Sequence, residues 1–240
     1  MTARAVSGEA AADAARRTLG RDRTNTRGEA TRELILLTAE RLFAERGIEA
    51  VPLRDIGLAA DQKNNFAVQY HFGDREHLVH AIAAYRAEYL MEINADLLAD
   101  LVGAGRVPTV TDFVRAMVTA LAANLDDDSH FLPFISRYIN ERGGYAGLDD
   151  TVQPALQSTL RTLLLRLLPQ HTKALLDERW EILFTSAVHT LARYQVAMRA
   201  DALSAPLNSL IEDLIRSHTA LLETPPLPRD RAAALTADER

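Results

Sequence analysis

The sequence predicts an all-α protein, because apolar residues recur every three or four positions over most of the chain. Glycine and proline separate the helical stretches, for example at Gly47, Gly143 and Pro169. No segment of useful length alternates apolar and polar residues in the way of a half-buried strand. We therefore expect a small N-terminal helical domain joined to a larger helical domain.

The first two helices are predicted from apolar spacing and from their end signals. The first covers Thr31 to Arg46, and Gly47 ends it. Its apolar face contains Ile35 or Leu36, Ala39, Leu42 and Phe43. The second covers Pro52 to Ala60, since proline suits a first helical turn. Its apolar side contains Leu53, Ile56 and Ala60.

A third, short helix is predicted for Asn64 to Tyr70, and it needs packing to be stable. Phe66 or Val68, together with Phe72, would anchor one face against the preceding helices. The open face would then carry polar side chains, namely Gln62, Lys63, Asn64, Asn65 and Gln69. Amide side chains can both donate to and accept from an adenine edge, and lysine can address guanine or phosphate. This arrangement is typical of a helix-turn-helix that faces DNA.

The rest of the chain is also predicted to be helical. Asp74 is a suitable N-cap for a long fourth helix, which ends near Gly103 and Gly105. Its apolar face would contain Leu78, Ile82, Tyr85 and Tyr89. Further helices fit Thr111 to Leu125, Phe131 to Arg142 and Thr151 to Leu168, with Ser129 and Asp150 as caps.

Two apolar stripes follow near the C-terminus, each with alternating spacings of three and four residues. The first contains Trp180, Phe184, Ala187, Leu191, Tyr194 and Met198, and the second contains Leu203, Leu207, Leu210 and Leu214. Either stripe could complete the core of a monomer. The spacing of each stripe is typical of a seam that packs against other helices.

Composition fits a soluble protein of the cytoplasm. The chain has 240 residues, 48% of them hydrophobic, which is enough to bury a full core. It has no cysteine, so disulfides and thiolate metal sites are excluded. We find neither an apolar run of about 18 residues nor the apolar centre of a signal peptide.

Three short motifs make the N-terminal region resemble the DNA-binding domain of TetR-family transcriptional regulators. They are Arg54-Asp55-Ile56 before the turn, Tyr70-His71-Phe72 after it, and Gly73-Asp74-Arg75-Glu76 with Leu78 at the start of the fourth helix. The resemblance covers about Thr31 to Leu78. Val51 and Pro52 stand where the family usually has a capping Thr or Ser, and the turn from Ala60 to Asn65 is one residue longer and lacks the family's usual glycine.

The resemblance implies an N-terminal three-helix helix-turn-helix DNA-binding domain and a C-terminal helical ligand-binding and dimerisation domain. We expect a basic arm at 1–28, the DNA-binding domain at 29–73, the regulatory and dimerisation domain at 74–223 and a flexible tail at 224–240. The candidates for contacts to base edges are Lys63, Asn64, Asn65 and Gln69, and those for phosphate contacts and positioning are Arg54, Tyr70, His71 and Arg75. For Tyr70 and His71, packing at the end of the helix is the alternative role.

The net charge of −6 lies entirely in the second part of the chain. Residues 1–90 contain 13 basic and 13 acidic residues, whereas residues 91–240 contain 14 and 20, and 14 − 20 = −6. Five arginines, at positions 16, 17, 21, 23 and 27, precede the first helix. They indicate either a solvated leader or an arm that contacts phosphate or the minor groove.

By the same resemblance, the protein is expected to be a homodimer that binds a double-stranded, pseudo-palindromic operator and represses transcription until a small molecule releases it. The identity of that molecule is open. Candidates for the wall of its pocket are Phe113, Met117, Phe134, Tyr138, Trp180 and Phe184, and the polar candidates are His130, Arg137, His189 and Arg193. Ordinary core packing is the alternative role of the pocket-wall residues.

Two other classes of function are alternatives to this one. An enzyme is disfavoured because the histidines and aspartates form no recognised catalytic arrangement, and no cofactor motif is present. His77 and His80 are three residues apart, but two histidines without a third ligand make a weak metal site. The other alternative is an α-helical ligand-binding or protein-interaction module that does not bind an operator, which the altered turn and helix cap keep open.

Overall fold

The computed structural model describes residues 28–64, 66–87, 107–126, 128–148 and 162–227. Within these ranges the chain forms α-helices and a short 3-10 helix, without a β-strand, so the all-α prediction is confirmed. Several predicted features lie outside the described residues. They are the arm before residue 28, Asn65, Tyr89, the helix end at Gly103 and Gly105, the helix start at Asp150 and Thr151, and the tail after residue 227.

Helix α1 covers residues 28–46 of the described chain. The predicted apolar face is confirmed, with both alternatives at its start buried: Ile35, Leu36, Ala39, Leu42 and Phe43 are at most 2% exposed. Gly47 ends the helix with φ of 96°, and its N–H donates to the carbonyl of Phe43 over 2.9 Å. A side chain at this position would be strained, since positive φ favours glycine.

Helix α2 covers Leu53–Ala59 and helix α3 covers Ala67–Phe72. Pro52 is the N-cap of α2, where no side chain caps the helix, as expected from the missing hydroxyl. Helix α3 begins three residues later than predicted. The reason is local, because the side-chain oxygen of Asn64 accepts from the N–H of Phe66 over 2.9 Å and holds this segment in a turn.

Helix α4 covers residues 75–87 of the described chain and starts at the predicted cap. The Asp74 carboxylate accepts from the N–H of His77 over 2.9 Å. Leu78 and Ile82 are fully buried, as predicted, but Tyr85 is 36% exposed and bonds Glu33 through its hydroxyl. The buried face instead continues through Val79, Ala83 and Ala87, one position away from the predicted stripe.

Helices α5 and α6 cover Val110–Ala122 and Phe131–Arg142. A capping box between Thr109 and Asp112 starts α5. The bounds predicted for α6 are confirmed, and Gly143 ends it with φ of 73°. His130 rather than Ser129 is its N-cap residue, although the Ser129 hydroxyl accepts from the N–H of Phe131 over 3.4 Å.

The C-terminal helices follow a 3-10 helix at Ala146–Leu148. Helix α7 covers residues 162–167, α8 covers Lys173–Arg199 and α9 covers Leu207–Glu223. Helix α9 packs against α5 and α8, and α8 also packs against α6. None of the helices in the described ranges has the length and hydropathy that a membrane crossing requires.

One apolar core runs through both predicted domains, and a buried ion pair lies beside it. Phe43 of α1 stacks on Phe134 of α6 with 6.3 Å between ring centroids. Glu40 of α1 is 2% exposed and accepts two bonds of 2.7 Å from the Arg86 guanidinium of α4. Glu40 also accepts from the main-chain N–H of His130 over 3.1 Å. These contacts join α1, α4 and the start of α6.

A second contact joins the end of α6 to the turn between α1 and α2. The Glu141 carboxylate accepts from the N–H of Ile48 over 3.1 Å, and it lies so close to Gly47 that an added Cβ would come within 2.8 Å of its oxygen. Arg142 pairs with Glu49 over 2.7 Å and with Glu76 of α4. The N-terminal domain is therefore held against both ends of α6.

We predict that Glu40→Ala lowers the free energy of unfolding by about 3–5 kcal/mol, because Arg86 would stay buried without its carboxylate. Urea unfolding at fixed protein concentration measures this. Glu45→Ala is the matched control on the same helix: Glu45 pairs with Arg41 at the surface, so its loss should cost at most about 0.5 kcal/mol. Equal costs for the two variants would contradict the structural role of Glu40.

Candidate nucleic-acid interface

The turn between α2 and α3 is a compact, hydrogen-bonded structure. Asp61 stands where the family usually has glycine, and it has a positive φ of 53°. Aspartate tolerates this backbone region better than most residues. The N–H of Gln62 donates to the carbonyl of Gly57 over 2.9 Å, and its side-chain amide donates to the carbonyl of Ala60 over 2.7 Å. Gln62 is thus used to shape the turn.

Helix α3 has one buried and one exposed side. Ala67, Val68 and Phe72 are buried against α1 and α2, so Val68 and Phe72 are the anchors among the predicted alternatives. Phe66 is 68% exposed and is not an anchor. The exposed side also carries Tyr70, which is 83% exposed.

Three of the four base-edge candidates are exposed around the start of α3. Lys63 and Asn64 lie in the turn before the helix, and Gln69 lies on the helix. Asn65 is outside the described residues. Because the Asn64 oxygen already accepts from Phe66, its amide nitrogen is the atom left to donate to a base. A paired donor and acceptor contact to adenine is therefore less suited to Asn64 than to Gln69.

The candidates for phosphate contacts differ in their surroundings. The Arg54 side chain is 76% exposed and pairs with neighbouring Asp55 over 3.2 Å, an interaction that solvent weakens. Arg75, in contrast, donates to the carbonyls of Ile48 and Val51, the latter over 2.7 Å. Arg75 therefore fits the positioning role, because its guanidinium fixes the loop that leads into α2.

His71 lies partly buried at the end of α3, between Tyr70 and Phe72. Burial lowers the pKa of His71, and the positive charge of Arg32 lowers it further. The same Arg32 guanidinium lies 4.8 Å from the centroid of the Phe72 ring. The neutral imidazole can offer an N–H to a phosphate, but it does not supply a permanent positive charge.

Glu40 is a structural residue that the sequence prediction did not include. Its spacing of four from Leu36 and three from Phe43 nevertheless places it on the apolar face of α1. Phe66 was considered as a core anchor, and only its place in the turn ahead of α3 explains its exposure.

The residues considered for a metal or a pocket have ordinary partners. His77 bonds Asp74 over 2.8 Å, and no three potential metal ligands cluster among the described residues. Phe113, Phe134 and Tyr138 are buried in the core, whereas Trp180 and Phe184 are half-buried. The polar candidates for the pocket also have partners. A ring nitrogen of His189 lies 2.7 Å from the Ser136 hydroxyl, and a ring nitrogen of His130 lies 3.0 Å from the Asp128 carbonyl. The Arg137 guanidinium lies 4.0 Å from the Glu141 carboxylate, and the Arg193 guanidinium lies over the Tyr194 ring.

Comparison with known proteins agrees with the helix-turn-helix geometry. Residues 35–82 match the family model described as bacterial regulatory proteins, tetR family. No curated protein matches the chain.

Two solved structures share the fold. One is a protein of Mesorhizobium loti described as a TetR-family transcriptional regulator, with a TM-score of 0.50 and 14% identity over 82% of this chain and 95% of that one. The other is the TetR-family transcriptional regulator PfmR of Thermus thermophilus, with a TM-score of 0.50 and 19% identity over 81% and 99%. Residues 35–82 are thus similar to the TetR-family N-terminal domain, and the chain shares the overall fold of these two structures.

We predict that Arg75→Ala lowers the free energy of unfolding by about 1–3 kcal/mol, because two loop carbonyls lose their charged donor. It should weaken binding to all DNA sequences alike, since it loosens the loop without touching a base.

Arg54→Ala is the paired variant and should leave stability unchanged. If Arg54 contacts phosphate, its loss reduces the salt dependence of DNA binding by about one ion per subunit. A change of sequence preference in Arg75→Ala would contradict the positioning role.

The lowered pKa of His71 predicts a loss of stability on acidification. The unfolded chain binds a proton at an ordinary pKa near 6.5, while the folded chain resists it. The stabilisation by neutral His71 is therefore complete above that pH and is lost as the pH falls through the lower folded-state pKa. The melting temperature of wild type should drop more between pH 7.5 and 5.5 than that of His71→Gln. Equal changes in the melting temperatures of the two proteins would show that protonation of His71 does not affect stability.

Proposed function

We propose that the protein is a ligand-responsive transcriptional repressor that binds a pseudo-palindromic DNA operator as a homodimer. The observation that carries the proposal is the exposed side of α3 and of the turn before it. Lys63, Asn64, Gln69 and Tyr70 project there from a domain whose other side is locked into the core. Such a helix can enter the major groove of DNA while Arg54 contacts the phosphate backbone.

Dimerisation is supported by apolar side chains that the single chain leaves exposed on α8. Ile182 is 51% exposed and Val196 is 60% exposed, and they are fourteen residues apart on the same stripe of the helix. A second copy would cover them. By contrast, the predicted stripe through Leu203, Leu207 and Leu210 packs at least partly against the core of its own subunit. The proposed contact between copies therefore centres on α8.

Ligand response is supported by the aromatic residues in the N-terminal half of α8. Trp180 lies 5.8 Å from Phe113 of α5 and 6.3 Å from Phe184, which in turn lies 4.5 Å from Tyr145, all measured between ring centroids. A small cleft opens beside Trp180, lined also by Leu164, Leu165, Lys173, Leu176 and Asp177. We expect a largely apolar effector that enlarges this cleft and shifts α8 against α6.

The charge of the DNA-binding domain makes the arm part of this proposal. Residues 28–87 contain seven basic and nine acidic residues, so their net charge is 7 − 9 = −2. This charge does not attract DNA by itself. The five arginines between positions 16 and 27 would then supply the missing attraction to phosphate.

The second candidate is a helical ligand-binding or protein-interaction module that has lost operator binding. Two observations favour it: the net charge of −2 over residues 28–87, and the absence of a capping hydroxyl at Pro52, the N-cap of α2. Such a protein would have no salt-sensitive preference among DNA sequences.

Selection from a random pool of duplex DNA tests the two candidates. We predict enrichment of a pseudo-palindrome, bound by two subunits with an affinity that falls steeply as salt rises. Lys63→Ala or Gln69→Ala should cost about 1–3 kcal/mol on the selected operator and relax the preference at one base pair per half-site. Glu223→Ala, at an exposed position on the last turn of α9 and away from the proposed contact on α8, is the control and should bind normally. Folded, dimeric protein that enriches no sequence would favour the interaction module.

A further inference from the structure

Phe66 is a large apolar side chain held in the open at the start of α3. The residue is 68% exposed, and both the N–H and the carbonyl of its backbone are hydrogen-bonded. The N–H of Phe66 donates to the Asn64 side chain over 2.9 Å, and its carbonyl accepts from the N–H of Tyr70 over 2.8 Å. The position of the ring is therefore set by the turn and not by contacts with the core.

The exposure of Phe66 does not result from a lack of apolar partners nearby. Ala67 and Val68, the next two residues, are buried at 7% and 1% exposure, so the backbone turns Phe66 away from the core while its neighbours enter it. Tyr70 follows four residues later and is 83% exposed, which places the two rings on one face of α3. Gln69 is exposed beside them.

The chemistry of this face distinguishes Phe66 from its neighbours. Lys63, the Asn64 amide nitrogen and Gln69 can form hydrogen bonds, and Tyr70 has a hydroxyl that can reach phosphate. Phe66 can offer only an apolar surface. In the major groove, the 5-methyl group of thymine is the apolar feature that distinguishes one base from the others.

We propose that Phe66 is a specificity-determining residue whose ring packs on the 5-methyl group of a thymine in each operator half-site. This inference rests on the proposed function, because it requires that α3 enters the major groove. It adds a base that is recognised without any hydrogen bond. It also gives a function to the hydrogen bond between Asn64 and Phe66, since that bond fixes the backbone that carries the Phe66 ring.

Removing the methyl group while leaving base pairing intact tests the contact. In the operator selected from a random pool, each thymine is replaced in turn by deoxyuridine, symmetrically in both half-sites. Wild type should lose affinity at one thymine position, by about fourfold per methyl group. Phe66→Ala should lose about the same on the unmodified operator and then be insensitive to deoxyuridine at that position, because the contact is already gone.

Gln69→Ala is the matched control, since Gln69 is exposed on the same helix. It should lose affinity but keep the full methyl effect. Phe66→Ala should also keep the melting temperature of wild type, because the ring is exposed. A lower melting temperature would make Phe66 a packing residue and would overturn the proposal.

The remaining outcomes separate the two proposals. If wild type binds its operator but is indifferent to the methyl group at every thymine, or if Phe66→Ala keeps the methyl effect, the thymine contact is wrong and the operator-binding function stands. The same holds for an operator whose half-sites contain no thymine. If folded wild type selects no sequence, both proposals fall together.

Discussion

The arrangement of the molecule depends on one buried carboxylate. Glu40 belongs to α1 of the DNA-binding domain, but its partners are the Arg86 guanidinium of α4 and the N–H of His130 at the start of α6. A carboxylate that is 2% exposed is costly unless its oxygens are bonded, and here both oxygens are. Burial alone would lower the pKa of Arg86, but the bonds to Glu40 raise it, so the guanidinium stays charged. The pair fixes three helices in a single geometry.

The same junction connects the DNA-binding domain to α8. The Gln195 side chain donates to the carbonyls of Asp126 and Ser129 over 2.7 and 2.9 Å, and Ser129 immediately precedes the residue whose N–H bonds Glu40. A continuous series of hydrogen bonds therefore leads from α8 through the α5–α6 loop to α1. Packed contacts of this kind change by discrete rearrangement and not by gradual bending. A shift of α8 against α6 would thus reach the DNA-binding domain as a change of its orientation.

The sequence predicted the helices whose limits are set locally, and it failed where a distant or competing contact decides. Helix α6 was predicted to the residue because Gly143 ends a clear apolar period. The start of α3 was misplaced, since the Asn64 side chain accepts from the N–H of Phe66 and holds the chain before α3 in a turn. The Glu40–Arg86 pair joins residues 46 positions apart, and a single sequence contains no signal that pairs them. Likewise, helical spacing left Phe66 and Val68 as alternative anchors without showing which of them enters the core.

The balance of charge indicates how such a surface would distinguish DNA sequences. Residues 28–87 have a net charge of −2, so the domain gains little of the phosphate attraction that dominates non-specific binding. Discrimination is the difference between specific and non-specific affinity, and a phosphate attraction common to both, such as the one proposed for the arm, leaves this difference unchanged. The proposed contacts to base edges and methyl groups would then decide which sequence is preferred. The apolar contact proposed for Phe66 differs from ionic contacts to phosphate, since salt does not screen it.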